Sequence, residues 1–252
     1  MFKPDLWQIP QVLISKEQTA QVKSAVLTDL NRRVEILRKR LEHIAENHST
    51  VKFASSLAVE DMLISDVIVK SAVPIEIFTL DTGRLNPETL ALIDQIEKHY
   101  PSLKLQRYSP KTQDVARYIE QFGQDAFYQS VELRKQCCFI RKVEPLNRAL
   151  QQADAWLTGQ RREQSVTRSE LPFCEHDPMR KIAKYNPIFD WSEQDVWAYI
   201  LTFDVPFNPL YRQGYPSIGC EPCTRPVKAE EDIRAGRWWW ENRDSKECGL
   251  HK

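Results

Sequence analysis

The chain has 252 residues, 42% of them hydrophobic, with 35 Lys+Arg against 35 Asp+Glu. That length and composition suit one or two globular domains with a substantial core, and exclude disordered, collagenous and coiled-coil chains. A formal charge of zero argues against a nucleic-acid or membrane-surface binder, which favours a basic excess.

Residues 15–48 read as an amphipathic, peripheral helix, with Val22, Val26, Leu30, Val34, Leu37, Leu41 and Ile44 at three- and four-residue spacing. From residue 50 strands and helices alternate. Residues 51–57 read as a strand entering a loop, 62–70 as a helix and 75–80 as a strand. Asn86-Pro87-Glu88 opens a helix running to about His99. Residues 103–108 read as a strand, and 113–122 as a helix stopped by Gly123. Residues 131–152 read as helical, with a kink or a fresh start at Pro145. Residues 155–158 form a short buried strand, and Ser192 to Asp195 cap a helix through Leu201. After about residue 204 the periodicity fades into an irregular segment rich in Pro, Gly, Cys and Trp. The expected organisation is a helical extension over 1–49, an α/β domain over 50–203, and a C-terminal segment over 204–252 that belongs to the same domain.

Such alternation with short connections implies a parallel sheet flanked by helices, with ligands bound beyond the carboxyl ends of the strands. Ser55-Ser56, Asp81-Thr82-Gly83-Arg84 and Gly159-Gln160-Arg161-Arg162 each follow a strand. The 55–61 loop has no glycine and is not a Walker loop. Its backbone amides and the helix N-terminus still offer a site for an anion.

The six cysteines are Cys137, Cys138, Cys174, Cys220, Cys223 and Cys248. No signal-peptide core opens the sequence, and no apolar run approaches the ~20 residues of a membrane helix. A cytoplasmic chain with reduced thiols is therefore expected, where cysteine clusters mean metal or catalysis. Cys220-Glu-Pro-Cys223 alone suits a redox dithiol, half a zinc site or half an iron–sulfur site. Cys137-Cys138 brings the thiolates to four. Neighbouring helical side chains diverge by ~100°, which strains closure on one zinc ion but lets two thiolates bind two irons of a cubane. The residues thus favour iron–sulfur, with zinc or plain core cysteines as the alternatives. Cys248 reads in isolation as a tail cysteine without a role, although Lys246, His251 and Lys252 would favour its thiolate. Cys174 reads as a loop cysteine with no role.

Residues 134–168 carry eight basic side chains and three acidic ones, a local excess of five positive charges. Arg234 and Arg237 form a second basic group before Trp238-Trp239-Trp240, which read as packing that pins the tail to the body. Arginine forks and lysine charges in these places suit a phosphate or sulfate ligand. A solvated helix face is the plainer account of Arg148 and Arg134.

Several blocks together resemble the assimilatory adenylyl-sulfate (APS) reductases, the cluster-containing branch of the APS/PAPS reductase family. They are Ser-Ser-Leu-Ala-Val-Glu-Asp (55–61), Leu-Asp-Thr-Gly-Arg-Leu-Asn-Pro-Glu-Thr (80–89) and Cys-Cys-Phe-Ile-Arg-Lys-Val-Glu-Pro-Leu (137–146). Thr-Gly-Gln-Arg-Arg-Glu-Gln-Ser (158–165), Tyr-Pro-Ser-Ile-Gly-Cys-Glu-Pro-Cys-Thr (215–224), Gly-Arg-Trp-Trp-Trp-Glu (236–241) and Glu-Cys-Gly-Leu-His (247–251) continue the match in family order. The resemblance implies an adenine-nucleotide α-hydrolase-like sheet and one [4Fe–4S] cluster on Cys137, Cys138, Cys220 and Cys223. It implies Cys248 as the nucleophile that reduces APS to sulfite and AMP through an S-sulfocysteine, with thioredoxin or a similar dithiol protein as reductant. Lys142, Arg234 and Arg237 match positions that bind the phosphosulfate. Ser55, Ser56, Leu80, Asp81 and Thr82 match nucleotide contacts, and Arg161 and Arg162 match a basic substrate motif. Family members associate, so a homo-oligomer is implied. Ala58 departs from the glycine of many relatives and puts the backbone's approach to ligand in question. The rival within the class is a PAPS reductase, or one accepting both nucleotides. A more distant rival, a tRNA-thiolating pyrophosphatase of the same fold, usually carries a Ser-Gly-Gly-x-Asp-Ser loop that is absent at 55–61. A zinc-stapled binding module would leave Cys248 and the strand-end motifs without a role.

Overall fold

The computed structural model describes residues 16–164, 168–228 and 230–241, with side chains from Asp29 onward. Helix α1 (Lys16–Asn47) precedes β1 (Val51–Ser55), α2 (Val59–Ser71), β2 (Glu76–Leu80), α3 (Pro87–His99), β3 (Gln106–Tyr108) and α4 (Thr112–Phe122). Then come α5 (Val131–Cys138), α6 (Glu144–Ala149), β4 (Ala155–Leu157), β5 (Cys174–Asp177), β6 (Ile182–Tyr185) and α7 (Glu193–Thr202). The six strands form one sheet in the order β3-β2-β1-β4-β6-β5. All neighbours run parallel except β5, an antiparallel edge strand on β6.

The chain moves outward from β1 to β2 and β3, then returns to place β4 on the other side of β1. The strand order therefore reverses between β1 and β4, and a crevice opens at their carboxyl ends. The core explains the arrangement. Helix α2 is buried along most of its length, including Met62, Leu63, Ile64, Val67 and Ile68, because it packs between the sheet and helices α1 and α7. It even carries a fully buried carboxylate, Asp66, which accepts from Tyr100 (2.8 Å) and Tyr199 (2.5 Å) and pairs with Lys70 (2.8 Å). Helix α1 buries Leu30, Leu37, Leu41 and Ile44 against the body. Arg40 locks it there with a two-pronged grip on Asp190 at 2.7 Å.

Two expectations need correction, and the fresh start expected at Pro145 is met with an added π turn before it. The sheet is not wholly parallel, because the 174–177 and 182–185 segments form a hairpin without clear apolar alternation. Cys174 consequently lies on an edge strand, not in a loop. The 131–152 helix is broken in three: α5, a π turn over Phe139–Val143, and α6 with Pro145 in its first turn. The wider π turn is what separates the cysteine pair from Pro145. Residues 204–241, where described, hold only short 3-10 turns and two isolated bridges, Leu85 to Cys220 and Thr224 to Arg237. The Leu85–Cys220 bridge seats the segment on the loop that follows β2, and the Thr224–Arg237 bridge folds the segment on itself.

Candidate active site

A cleft of about 270 Å³ occupies the crevice. Its floor is the ends of β1, β2 and β4, and Lys142 from the π turn and Arg234 and Arg237 from the C-terminal segment overhang it. A second, smaller cavity adjoins it, lined by all four of Cys137, Cys138, Cys220 and Cys223. Lys142 lines both.

At the sheet end, the loop after β1 is tied down by a buried carboxylate. Asp61 accepts both the N–H and the hydroxyl of Ser56 at 2.6 Å, and the N–H of Gly159 at the end of β4. Burial raises the Asp61 carboxyl to about 7 despite the Ser56 donors. Gly159 has to be glycine, because a Cβ there would stand 2.0 Å from Asp61 Oδ1. Leu57 takes the left-handed turn (φ 63°) that a glycine-rich loop would give to glycine. Ala58 has an ordinary φ of −69°, so this departure from the family pattern carries no strain. Part of the amide cradle expected here is already engaged within the protein. The N–H groups of Ser56, Leu57 and Val59 already donate to Asp61, Ser55 Oγ and Tyr211 Oη.

Among the substrate contacts expected from the sequence, Ser55, Ser56, Leu80, Thr82, Lys142, Arg234 and Arg237 line the cleft. Asp81, Arg161 and Arg162 do not. Asp81 caps its own turn by accepting the Gly83 N–H at 2.9 Å. Arg161 is buried and donates to Glu60 (2.9 and 3.2 Å) and the Trp191 carbonyl (3.3 Å). Arg162 donates to the Leu171 carbonyl (3.0 Å) and lies over the Phe189 ring. The basic motif is a strut beneath the cleft wall. Arg168, counted only as part of the basic stretch, does line the cleft and donates to Gln164. Glu60 and Asp61, expected at the end of the 55–61 loop and its family-matching block, instead lie in the first turn of α2, and the sequence gave no sign of their Arg161 and Ser56 contacts.

At the other end, Thr82 lies 3.3 Å from Cys220 Sγ. Arg141 is buried and donates to the Thr82 carbonyl at 2.7 Å. Arg237 donates to the Ile218 carbonyl (3.0 Å), and Gly219 leaves room for its guanidinium. Burial alone would raise the Cys220 thiol, but Lys142, the Thr82 hydroxyl, Arg237 and Arg141 hold it below its ordinary value. Burial pushes Cys137 up, and burial with the neighbouring Cys220 pushes Cys223 up to about 12. Trp238 is buried in this wall, Trp240 meets Tyr128 edge-to-face with ring centres 4.4 Å apart, and Trp239 is half exposed. Cys248 lies outside the described residues.

The donor set fits a multi-iron cluster. Four thiols from two distant segments line one cavity, walled by apolar and cationic groups. A cubane takes one thiolate per iron, and four thiols are the number it needs. No described helix is long and apolar enough to cross a membrane.

Comparisons with known proteins agree with this construction. The family described as phosphoadenosine phosphosulfate reductase domain matches residues 50–226. An adenosine 5′-phosphosulfate reductase of Neisseria meningitidis serogroup B is 60% identical over 252 residues, covering 100% of this chain and 98% of that protein. One from Allochromatium vinosum is 52% identical over 84% of this chain and 82% of its own. Among solved structures, a phosphoadenylyl-sulfate (PAPS) reductase from Candida auris in a phosphate complex superposes with a TM-score of 0.65 at 26% identity. It covers 86% of this chain and 99% of that one. A Candida glabrata FMN adenylyltransferase, 12% identical with a TM-score of 0.56 over 96% of this chain and 82% of its own, shares the fold alone. With a domain match over more than two-thirds of its length and relatives spanning nearly all of it, the chain belongs to the adenosine 5′-phosphosulfate reductases, an oxidoreductase family of sulfate reduction.

Proposed function

We propose that this protein reduces adenylyl sulfate to sulfite and AMP in assimilatory sulfate reduction for cysteine biosynthesis, with Cys248 as nucleophile and a thioredoxin-type dithiol protein as reductant. The observation that carries the reading is Lys142. It lines both the cleft at the strand ends and the cavity of the four cysteines, so one cation serves anion and thiols together. Cys137, Cys138, Cys220 and Cys223 would hold one [4Fe–4S] cluster. Bound there, it would tether the two cysteine segments and shape the field at the anion.

The nucleotide rests on the ends of β1, β2 and β4, with its sulfuryl group toward Lys142, Arg234 and Arg237. The Cys248 thiolate attacks the sulfuryl sulfur, and the bond from sulfur to the phosphate oxygen breaks. AMP leaves with the electron pair, and the three cations offset charge on the departing phosphate. Cys248 is then an S-sulfocysteine. A reductant thiolate attacks its Sγ, sulfite leaves, and a mixed disulfide forms. The reductant's second thiol resolves it, so the reductant ends oxidised and Cys248 ends as a thiol.

The likeness to the PAPS reductase of Candida auris favours one second reading, acceptance of the 3′-phosphorylated nucleotide. The deciding experiment measures sulfite release with thioredoxin from APS and from PAPS side by side. Strong preference for APS is expected, and equal or greater use of PAPS would overturn the assignment. Labelled substrate without reductant should mark the wild-type chain and leave Cys248→Ser unmarked. A stable adduct on that variant would remove Cys248 from its role.

A further inference from the structure

We propose that the buried Arg134–Glu241 pair is a positioning latch. It fixes the root of the C-terminal segment against the four-cysteine wall, and thereby sets where Cys248 meets the bound sulfuryl group. The inference rests on the reading of Cys248 given above.

Arg134 lies on α5, one turn before Cys137 and Cys138. Its side chain is fully buried, and its Nε and Nη2 each donate at 2.8 Å to a different oxygen of Glu241, itself 4% exposed. This is a fork-to-fork contact, which fixes direction as well as distance. The same guanidinium lies 4.7 Å from the centre of the Trp238 ring and reaches Cys138. Trp238 in turn donates its N–H to the Cys223 carbonyl (3.0 Å), and Glu241 donates its N–H to the Trp238 carbonyl (2.9 Å). Residues 236–241 are thus held to both cysteine segments at once. Backbone bonds join them to the 220–225 turn, and one ion pair joins them to α5, 107 residues away in sequence.

Neither Arg134 nor Glu241 lines the substrate cleft, whereas Arg134 lines the cysteine cavity. A buried ion pair is weak evidence of stability, because its desolvation cost offsets much of its attraction. What it does supply is a fixed register between two segments. Cys248 follows Glu241 by seven residues, a reach of at most about 25 Å, so the position of Glu241 bounds the space open to the thiol. A misplacement of about 1 Å at a reacting atom can lower a rate by ~10²-fold.

The test uses iron-loaded Glu241→Gln and Arg134→Lys. Three quantities are measured: the rate of labelled-substrate capture on Cys248 without reductant, AMP affinity, and iron per chain. Capture should slow by about tenfold to a hundredfold in Glu241→Gln and by less in Arg134→Lys, which keeps the charge. AMP affinity should stay within about twofold, and iron content should match wild type. Unchanged capture, or capture lost only in proportion to iron, overturns the latch. So does failure of both variants to yield folded, iron-loaded protein, which would make the pair structural alone. If wild type itself takes no label on Cys248, the nucleophile reading fails; if wild type and Glu241→Gln label equally fast, the latch alone fails.

Discussion

The two ends of the cleft use arginine in different ways. At the sheet end, Arg161 is buried against Glu60 and Arg162 is turned onto a carbonyl and a ring, so their charges hold protein to protein. At the cysteine end, Lys142, Arg141 and Arg237 bear on Cys220 and hold its thiol below its ordinary value. The first arrangement leaves a floor whose charges are satisfied within the protein. The second concentrates positive potential beside four thiols that share a wall. A basic motif in sequence therefore does not announce a ligand contact. What decides is whether protein groups of the same wall, a carboxylate for Arg161 and a carbonyl and a ring for Arg162, already hold the guanidinium.

The sharpest break of that comparison is Cys220→Ser. Loss of a donor at the cysteine end should drop iron from about four per chain and lower sulfite formation by more than about a hundredfold, since even outer-shell changes at metal sites cost 10–100-fold. Iron assay and loss of visible colour check it. Full iron with full activity would dissociate the cavity from any cluster. Next in size is Lys142→Ala. Removing one cation from a developing anion should lower kcat by on the order of 10²–10³, with a smaller change in KM. A change confined to KM would instead make Lys142 a plain binding residue.

At the sheet end the expected effect moves from rate to stability. Arg161→Met leaves Glu60 buried without its main partner and should cost about 3–5 kcal/mol. Urea unfolding measures that loss, and AMP affinity of the folded fraction should change little. If affinity collapses while stability holds, Arg161 reaches the ligand after all and the contrast between the two ends disappears.

Much of this was legible in the chain. Alternating strands and helices located the strand-end loops, and the cysteine spacing with the charge around it located the second cavity. Periodicity and motif reading stop where side chains choose partners. Asp61 and Glu60 are adjacent acids in a helix's first turn, yet one takes Ser56 and Gly159 and the other takes Arg161 from 101 residues away. Nothing in local spacing encodes that division. The β5–β6 hairpin escaped for a similar reason. As an edge element it has little apolar alternation to show.

The most gradual expected effect, and the one most particular to the sheet end, is the titration of Asp61. Its folded carboxyl lies near 7, against an ordinary value of 3.8, so the folded state holds a proton that the unfolded chain has released. Between about pH 4 and pH 7 this group therefore makes stability fall as pH rises, by at most about 1.4 kcal/mol per unit, and contributes no slope above that window. Asp61→Asn removes the titration. Its amide also turns an N–H₂ toward either Ser56 or the Gly159 N–H, adding a pH-independent penalty of about 1–3 kcal/mol. The informative quantity is thus the difference in unfolding free energy, wild type minus the Asp61→Asn variant, followed from pH 4 to 8. It should start at its most positive in acid, decline to about pH 7, and then level off. A flat difference would mean that Ser56 and Gly159 stabilise the ionised carboxylate enough to cancel its burial. The floor of the cleft would then be anionic at every working pH, and the contrast with the cationic cysteine end would widen.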